Sequence, residues 1–249
     1  LYFINEIGGV HHNISALTTT EASMTLRYAP HEQFYQGKIY RTPILSKYPI
    51  ISVDYTMGLK NVFAGEYNYQ NLHARVDKHF FFSQLGYADV SVEAGKIFGQ
   101  LPYPLLTIPR ANQTYAYQPY AYNLMNFLEF AYDHFESISI DQHFNGFFFN
   151  KIPLFNRLKW REVASFKALW GGVTDQNNPS IHPSLYQFPV DGNGKPITYM
   201  LNGTPYMEGS IGIENIFKFF RVDVVKRFNY LDHDNISKIG IRARADFNF

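Results

Sequence analysis

Three short stretches place a carboxylate beside an imidazole, the pairing that general acid–base catalysis uses. A hydrolase built on such a pair also needs a nucleophile or an activated water, and the chain has no Gly-x-Ser-x-Gly elbow to present a serine. The stretch 232–235 equally suits a polar hairpin loop. We therefore predict no enzymatic activity and no catalytic residue, and keep a hydrolase with residues near Asp133 or Asp232 as an alternative. The three stretches are Asp133-His134, Asp141 with His143, and Asp232-His233-Asp234.

Metal, cofactor and nucleic-acid sites are not predicted. His11 and His12 are adjacent, so on a strand their side chains point to opposite faces, and no third ligand lies at a recognisable spacing. The chain has no cysteine, which excludes thiolate ligands and disulfides. Its formal net charge is +1, and nucleic-acid binding would need a strong basic bias.

The elements that must carry these residues are strands, because apolar and polar residues alternate along much of the chain. Ten segments show this pattern, and most run about 9 to 14 residues, close to the length that crosses a bilayer as a tilted strand. The last is the clearest, with one apolar face (Ile239, Ile241, Ala243, Ala245, Phe247, Phe249) and one polar face between them. The predicted strands are 16–28, 49–60, 69–82, 85–98, 122–132, 136–148, 158–171, 206–216, 219–230 and 237–249.

This pattern predicts an all-β protein, an antiparallel transmembrane β-barrel of about ten strands formed by residues 1–249 as a single domain. No apolar run is long enough for a membrane helix. Aromatic residues make up 18% of the chain and cluster at strand ends, as in the aromatic girdles of barrels. A soluble all-β protein is the alternative. Because the chain begins at Leu1 without a leader pattern, we interpret it as a processed or partial chain.

The barrel interpretation implies a bacterial outer-membrane location with a periplasmic C-terminus. Phe247 and Phe249 then form the C-terminal insertion signal, and the expected partners are outer-membrane lipid and the barrel assembly machinery, with other outer-membrane or periplasmic proteins in a larger complex. Counting back from the C-terminus puts 231–236 and 172–205 outside and 217–218 and 149–157 in the periplasm. The same count puts the long segment 99–121 in the periplasm, against the rule that long loops face outward. A miscounted strand or a segment folded into the lumen would each explain this conflict.

Strand alternation also assigns charged residues to the two faces of the wall. The functional interpretation of the inward set is a charged channel, and the structural interpretation, which we favour, is a salt-bridged interior. Glu162 and Lys226 instead point outward, where a charge at mid-bilayer costs about 2 to 4 kcal/mol. A bulge, an interface position or a protein partner would remove that cost, so both are candidate partner-facing residues. The predicted lumen-facing charges are Arg161, Lys167, Glu208, Glu214, Asp223, Arg227, Arg242, Arg244 and Asp246.

Several stretches resemble the DUF5686 family of outer-membrane proteins from the Bacteroidetes, in which a carboxypeptidase-regulatory-like domain precedes a barrel. The resemblance runs from about residue 30 to the end and implies location and architecture only. Members of that family are longer, so it implies the C-terminal part of a larger barrel. A weaker likeness is to the Omp85-type barrels, but the Val-Arg-Gly-Phe motif is missing. The stretches are Ser46-Lys47-Tyr48-Pro49, residues 99–106, Asn123-Leu124-Met125-Asn126 with Glu129-Phe130 and Asp133, His143-Phe144-Asn145-Gly146, 150–154, 158–163 and 212–218.

The sequence therefore predicts an integral outer-membrane barrel with a role in transport, secretion or assembly, as a subunit of a larger complex. A structural or partner-binding barrel with a plugged lumen is the second hypothesis, and an outer-membrane barrel hydrolase is the third. A continuous water-filled pore would favour the first, a plugged pore the second, and a serine or water held by an acid–imidazole pair the third.

Overall fold

A computed structural model describes residues 3–7, 10–14, 16–44 and 46–245, with only the backbone considered for 3–7 and 10–14. The described chain is almost entirely β, as the alternation predicts, and its one α-helix, α1, is a single short turn at Pro153–Leu158. The strands are β1 (Phe3–Ile7), β2 (Val10–Ile14), β3 (Glu21–Tyr28), β4 (Gln33–Gln36), β5 (Arg41–Ile44), β6 (Ile50–Gly58), β7 (Tyr69–Phe81), β8 (Tyr87–Phe98), β9 (His134–His143), β10 (Arg161–Gly172), β11 (Tyr206–Ile216), β12 (Phe220–Arg227) and β13 (Ile239–Ala245).

Nine of these strands form one sheet in the order β13-β12-β11-β10-β9-β8-β7-β6-β3. Every neighbouring pair is antiparallel. The hairpins β1–β2 and β4–β5 are separate two-stranded sheets. Within the described residues β3 and β13 are the two edges of the large sheet, so the described wall is open. An all-β antiparallel fold is confirmed. The described strands do not form the closed ring of the predicted barrel.

Nine of the ten predicted strands correspond to strands of this sheet, and the prediction of a strand at 122–132 is wrong. Residues 99–133 instead form one long insertion between β8 and β9, which we call the inserted segment. Its amides bond to distant side chains: the Glu208 carboxylate accepts bonds from the N–H groups of Asn123 at 2.7 Å and Leu124 at 3.1 Å. The predicted strand failed because its apolar residues, such as Met125 and Phe130, pack inside the protein rather than alternate along a sheet.

Removal of that strand resolves the conflict over segment 99–121. Four connections now lie at one end of the sheet, which we call the long-loop end: 59–68, 99–133, 173–205 and 228–238. The other four lie at the opposite end, which we call the short-turn end: 29–49, 82–86, 144–160 and 217–219. The inserted segment thus leaves from the same end as the long connection 173–205.

The two faces of the large sheet have opposite character. One face, the apolar face, carries large apolar side chains that are 36% to 73% exposed. The opposite face, the covered face, carries seven charged side chains that are at most 9% exposed. The apolar face includes Met24, Leu26, Ile51, Leu72, Val76, Val92, Phe166, Trp170, Ile211, Val224 and Ile241, and the buried charges of the covered face are Glu93, Asp141, Lys167, Glu208, Arg221, Asp223 and Arg227.

The apolar core lies at the long-loop end, between the covered face and the segments folded over it. One cluster joins Tyr69 and Ile97 of the sheet to four residues of the inserted segment. A second joins Leu169 and Tyr206 to the end of the inserted segment and to Leu201. The inserted-segment members are Leu101, Tyr103, Leu106 and Ala131 in the first cluster and Met125, Phe130 and Tyr132 in the second.

Candidate functional site

The candidate site is the covered face together with the segment that lies on it. Lys167 and Glu208 face each other across β10 and β11 and approach to 3.9 Å. The Lys167 ammonium donates to the carbonyls of Gln118 at 2.8 Å and Ala121 at 2.5 Å. Since the Glu208 carboxylate accepts bonds from the amides of Asn123 and Leu124, this pair holds both donors and acceptors of the inserted segment.

Glu129 forms the second anchor of the inserted segment. Its carboxylate accepts two bonds from the Arg227 guanidinium at 2.9 and 2.5 Å, and both side chains are buried. His233 Nδ1 lies 2.7 Å from the same carboxylate, and the Asn126 N–H donates to it at 3.0 Å. The His233 ring stacks on Tyr199 with 3.8 Å between ring centroids. A buried carboxylate with this many partners is a structural clamp, because every partner compensates its loss of water.

Asp133, at the end of the inserted segment, ties it to the connection 173–205. Its carboxylate accepts bonds from the Thr174 N–H at 2.9 Å, from the Thr174 hydroxyl, and from the Asn177 amide at 2.8 Å. His134 Nδ1 lies 2.7 Å away. Burial raises the pKa of Asp133, but the bonds from Thr174, His134 and Asn177 outweigh it and hold that pKa below its ordinary value. The pair Asp133-His134 is thus occupied by structural contacts.

The inserted segment also covers part of the edge of β13. The Tyr117 N–H donates to the Ala243 carbonyl at 2.8 Å, and the Ala243 N–H donates to the Tyr115 carbonyl at 3.1 Å. The Arg242 guanidinium donates to the Asn123 carbonyl at 2.7 Å. These bonds satisfy backbone groups that an edge strand would otherwise present to its surroundings.

Toward the short-turn end, the buried charges form ion pairs within the sheet itself, and the Arg221 guanidinium also lies 4.2 Å from the centre of the Tyr117 ring of the inserted segment. The Arg221 guanidinium donates to Asp141 at 2.8 and 2.9 Å and to Asp223 at 2.7 Å. Glu214 lies 2.7 Å from His143 Nδ1, and Asp141 lies 3.8 Å from His143 Nε2. Both ring nitrogens therefore face carboxylates, which leaves neither nitrogen oriented toward a nucleophile as a triad requires.

A third group of charges lies across β6, β7 and β8. The buried Glu93 carboxylate contacts Arg75 at 3.3 Å and accepts a bond from Arg110 of the inserted segment. His73 lies between two carboxylates, 3.3 Å from Glu93 and 3.4 Å from Asp54. Arg110 therefore ties the inserted segment to the far side of the sheet from β13.

Two cavities remain between the covered face and the inserted segment. One, of about 310 Å³, lies under the inserted segment and includes His73, Glu93 and Tyr122 in its wall. The other, of about 740 Å³, lies toward the short-turn end. Pro119 and Tyr120 line both, so the middle of the inserted segment separates them. The Tyr120 ring lies under the Arg75 guanidinium at 4.8 Å.

The structure places eight of the nine predicted lumen-facing charges on the covered face. Asp246 and the predicted insertion signal, Phe247 and Phe249, lie outside the described residues. His11 and His12 lie in β2, of which only the backbone is described. The eight are Arg161, Lys167, Glu208, Glu214, Asp223, Arg227, Arg242 and Arg244.

The two predicted outward charges differ from each other. Lys226 is exposed on the apolar face, and its ammonium lies 5.8 Å from the centre of the Phe228 ring. Glu162 is buried, because its carboxylate accepts a bond from the Phe149 N–H of the connection 144–160. The connection 144–160 of the protein's own chain thus covers Glu162, whose Oε2 atom has no hydrogen-bond partner among the described residues.

The contacts of the covered face hold the inserted segment against the sheet. Among residues 16–44 and 46–245, no group of three or more histidine or acidic side chains is arranged to hold a metal ion. No helix in the described part of the chain is long and apolar enough to cross a membrane.

Reasoning from the sequence missed Arg221 and Glu93 as parts of the covered face. The alternation of apolar and polar residues along β8 and β12 would have assigned both to that face.

Comparison with known proteins identifies one family. Residues 10–178 match the C-terminal domain of DUF5686, a family of unknown function. The matched residues are more than half of the chain. That match includes β3 to β10 and the whole inserted segment. No curated protein matches the sequence significantly.

Proposed function

Since the chain belongs to the DUF5686 family, whose function is unknown, we propose from its geometry that it forms part of the wall of an outer-membrane β-barrel and plugs the interior with its own inserted segment. The proposed role is structural or partner-binding, within a larger membrane complex. The observation that carries the proposal is the inverted polarity of the nine-stranded sheet, with charges buried and large apolar side chains exposed.

In a soluble protein, a sheet buries its apolar face and exposes its charged face to water. Monomeric soluble proteins rarely expose a contiguous apolar patch larger than a few hundred Å². Here apolar side chains are exposed on strands from one edge of the sheet to the other, from Met24 on β3 to Ile241 on β13. A lipid environment removes that cost, since hydrocarbon accepts an apolar surface and the charges stay inside.

The length and edges of the strands fit the same proposal. Strands β7 to β11 have 13, 12, 10, 12 and 11 residues, enough to cross a bilayer at a tilt. Because β3 and β13 run in the same direction, an all-antiparallel ring needs an odd number of further strands between them. An open edge is not stable in lipid, so we propose that additional strands complete the wall, pairing with β3 and with the part of the β13 edge that the inserted segment leaves uncovered.

Barrel convention then orients the protein. Short turns face the periplasm and longer loops face outward. By that convention the connections 82–86 and 217–219 would put the short-turn end in the periplasm, where the last described residues of β13 would also end. The inserted segment and the connection 173–205 would enter from the outside.

A transport role is the second candidate, and the larger cavity favours it. That cavity of about 740 Å³ lies on the short-turn side of Pro119 and Tyr120 and has acidic and basic residues in its wall. Displacement of the inserted segment would join it to the smaller cavity. A transporter would need that displacement, whereas a structural barrel would keep the segment in place.

Insertion is tested by reconstituting the purified protein into phosphatidylcholine vesicles and measuring heat-modifiable gel mobility and resistance to carbonate extraction. We expect a compact form that unfolds only on heating and stays with the vesicles. A protein that leaves the vesicles in carbonate would overturn the proposal of a membrane wall.

The plug is tested by single-channel recording of the wild type and of Glu208→Gln, which weakens the carboxylate that binds two amides of the inserted segment. We expect a silent wild type and intermittent openings in the variant. The matched control is Glu214→Gln on the same strand, which contacts His143 rather than the inserted segment and should stay silent. Steady conductance of the wild type would show an open channel and support the transport role instead.

A further inference from the structure

The two ends of the sheet carry opposite charge. The four connections of the short-turn end contain seven Lys or Arg residues and one acidic residue, Glu32. The four connections of the long-loop end contain four Lys or Arg residues and seven Asp or Glu residues. The formal charge of the whole chain is only +1, so this asymmetry lies in the distribution of the charges along the strand axis.

The basic charge at the short-turn end is concentrated in the connection 144–160. It contains Lys151, Arg157 and Lys159 and no acidic residue. All three side chains are exposed. The Lys151 ammonium lies 4.4 Å from the centre of the Phe147 ring, so one cation lies directly beside an aromatic surface.

This connection lies against the apolar face of the sheet. Glu162 belongs to that face by alternation, next to Ala164 and Phe166, and it binds the Phe149 N–H. No residue of 144–160 lines either cavity of the covered face. The connection is therefore folded to the side of the wall that the proposed function gives to lipid.

The surface of the connection combines apolar groups with its cations. Large apolar side chains are 44% to 62% exposed around the short helix α1, at Phe148, Ile152, Leu154 and Leu158. Aromatic rings stiffen the turn: Phe149 stacks on Phe155 at 4.4 Å, and Phe155 lies 5.8 Å from Trp160. Exposed apolar groups with basic neighbours are typical of elements that lie in the headgroup region of a bilayer.

We infer that the connection 144–160 is a lipid-binding element that selects anionic phospholipid headgroups at the short-turn end of the wall. The inference rests on the proposed membrane location and adds the class of lipid bound. Its apolar side chains enter the acyl boundary, and Lys151, Arg157 and Lys159 bind headgroup phosphates. Charge complementarity selects the occupant, because an excess of basic residues without acidic ones attracts an anionic surface.

The test uses the two tryptophans of the chain. Trp160 lies in the connection and Trp170 lies on the apolar face. In a Trp170→Phe background, quenching of Trp160 by brominated phosphatidylglycerol or brominated phosphatidylcholine in mixed bilayers gives the relative association constant of the two lipids at this connection. We expect phosphatidylglycerol to be favoured about fivefold or more, corresponding to about one basic contact.

The variant Lys151→Gln with Arg157→Gln should bring that ratio close to one. The matched control is Lys60→Gln with Lys238→Gln, two exposed cations at the long-loop end, which should leave the ratio unchanged. A ratio of one in the parent protein, or an equal loss in the control, would overturn the inference. Quenching of Trp170 by brominated phosphatidylcholine in a Trp160→Phe protein reports insertion separately, so the membrane proposal can survive a failure of lipid selection.

Discussion

The two halves of the covered face use the same chemistry in different surroundings. At the long-loop end, Arg227 and Glu129 form a bidentate pair with side chains only 0% and 2% exposed. Near the short-turn end, Arg27 and Glu32 form an equally close pair, with side chains 47% and 13% exposed. The first pair joins β12 to the inserted segment, whereas the second joins β3 to the connection 29–49 beside the larger cavity.

The difference in burial indicates which of the two pairs holds its segment rigidly. A buried pair costs desolvation and is stable only when all its partners are present, so it fixes one arrangement of the inserted segment. An exposed pair is screened by water and fixes little. We therefore expect the inserted segment to be locked at the Arg227–Glu129 pair, and the connection 29–49 to remain accessible at the Arg27–Glu32 pair.

The largest effect should come from Glu129→Ala. Removal of this carboxylate leaves the buried Arg227 guanidinium and His233 without their shared acceptor. Loss of one member of a buried pair costs about 3–5 kcal/mol. The free energy of unfolding, measured by urea titration of tryptophan fluorescence in phosphatidylcholine vesicles, should fall by that amount.

A control separates this charge effect from lost packing. Glu129→Gln keeps the shape of the side chain and one acceptor, and should lose less stability than Glu129→Ala. If both variants unfolded at the same urea concentration as the wild type, Arg227 would be solvated in the folded protein, and the contrast between the two halves would not hold.

The sequence predicted the sheet well because strand alternation is a local property. It identified nine strands and both faces, so alternation alone assigns Lys167, Glu208 and Asp223 to one side. It failed at residues 122–132, where local composition favours a strand. The deciding partner of that stretch, Glu208, lies 84 residues from Leu124, and local patterning carries no signal for such a distant bond.

The same limit explains the acid–imidazole pairs. Asp133-His134 is adjacent in sequence and looks like an acid–base pair, yet Thr174 and Asn177 occupy its carboxylate. Alternation likewise assigns Glu162 to the outward face, but its burial depends on the turn that folds back over it. In both cases the residue type was readable and the partner was not.

The apolar face gives the next prediction. Ile211 is 73% exposed at the middle of β11, so Ile211→Lys places a charge in the proposed lipid region. We expect a loss of about 2–4 kcal/mol in the free energy of unfolding in vesicles. Ile39→Lys, at a position that is 91% exposed in the connection 29–49, is the control and should change little. Equal tolerance of both substitutions would mean that the apolar face is in contact with water.

A smaller, local effect should follow from acid. The pKa of Asp133 is held below its ordinary value, so its contribution is fully present above about pH 3.9, the value in an unfolded chain, and is lost as pH falls through the lower folded value. As pH falls through that lower folded value, the contacts to Thr174 and Asn177 should open. Pepsin cleavage within 173–180 should then increase between pH 4 and pH 2. Asp133→Asn should be cleaved there at every pH in that window, and equal protection of the variant would contradict the anchoring role.

The smallest effect should come from Glu32→Gln. Its partner Arg27 is half exposed, and the pair lies in the open half of the covered face, so water replaces the lost contact. We expect no resolvable change in the urea midpoint, and no change in the conductance of reconstituted protein. Because the pair is bidentate like Arg227–Glu129, any difference between Glu32→Gln and Glu129→Gln reports burial rather than the geometry of the contact. A loss comparable to that of Glu129→Ala would show that the connection 29–49 is itself part of the plug, and that both halves of the covered face are locked.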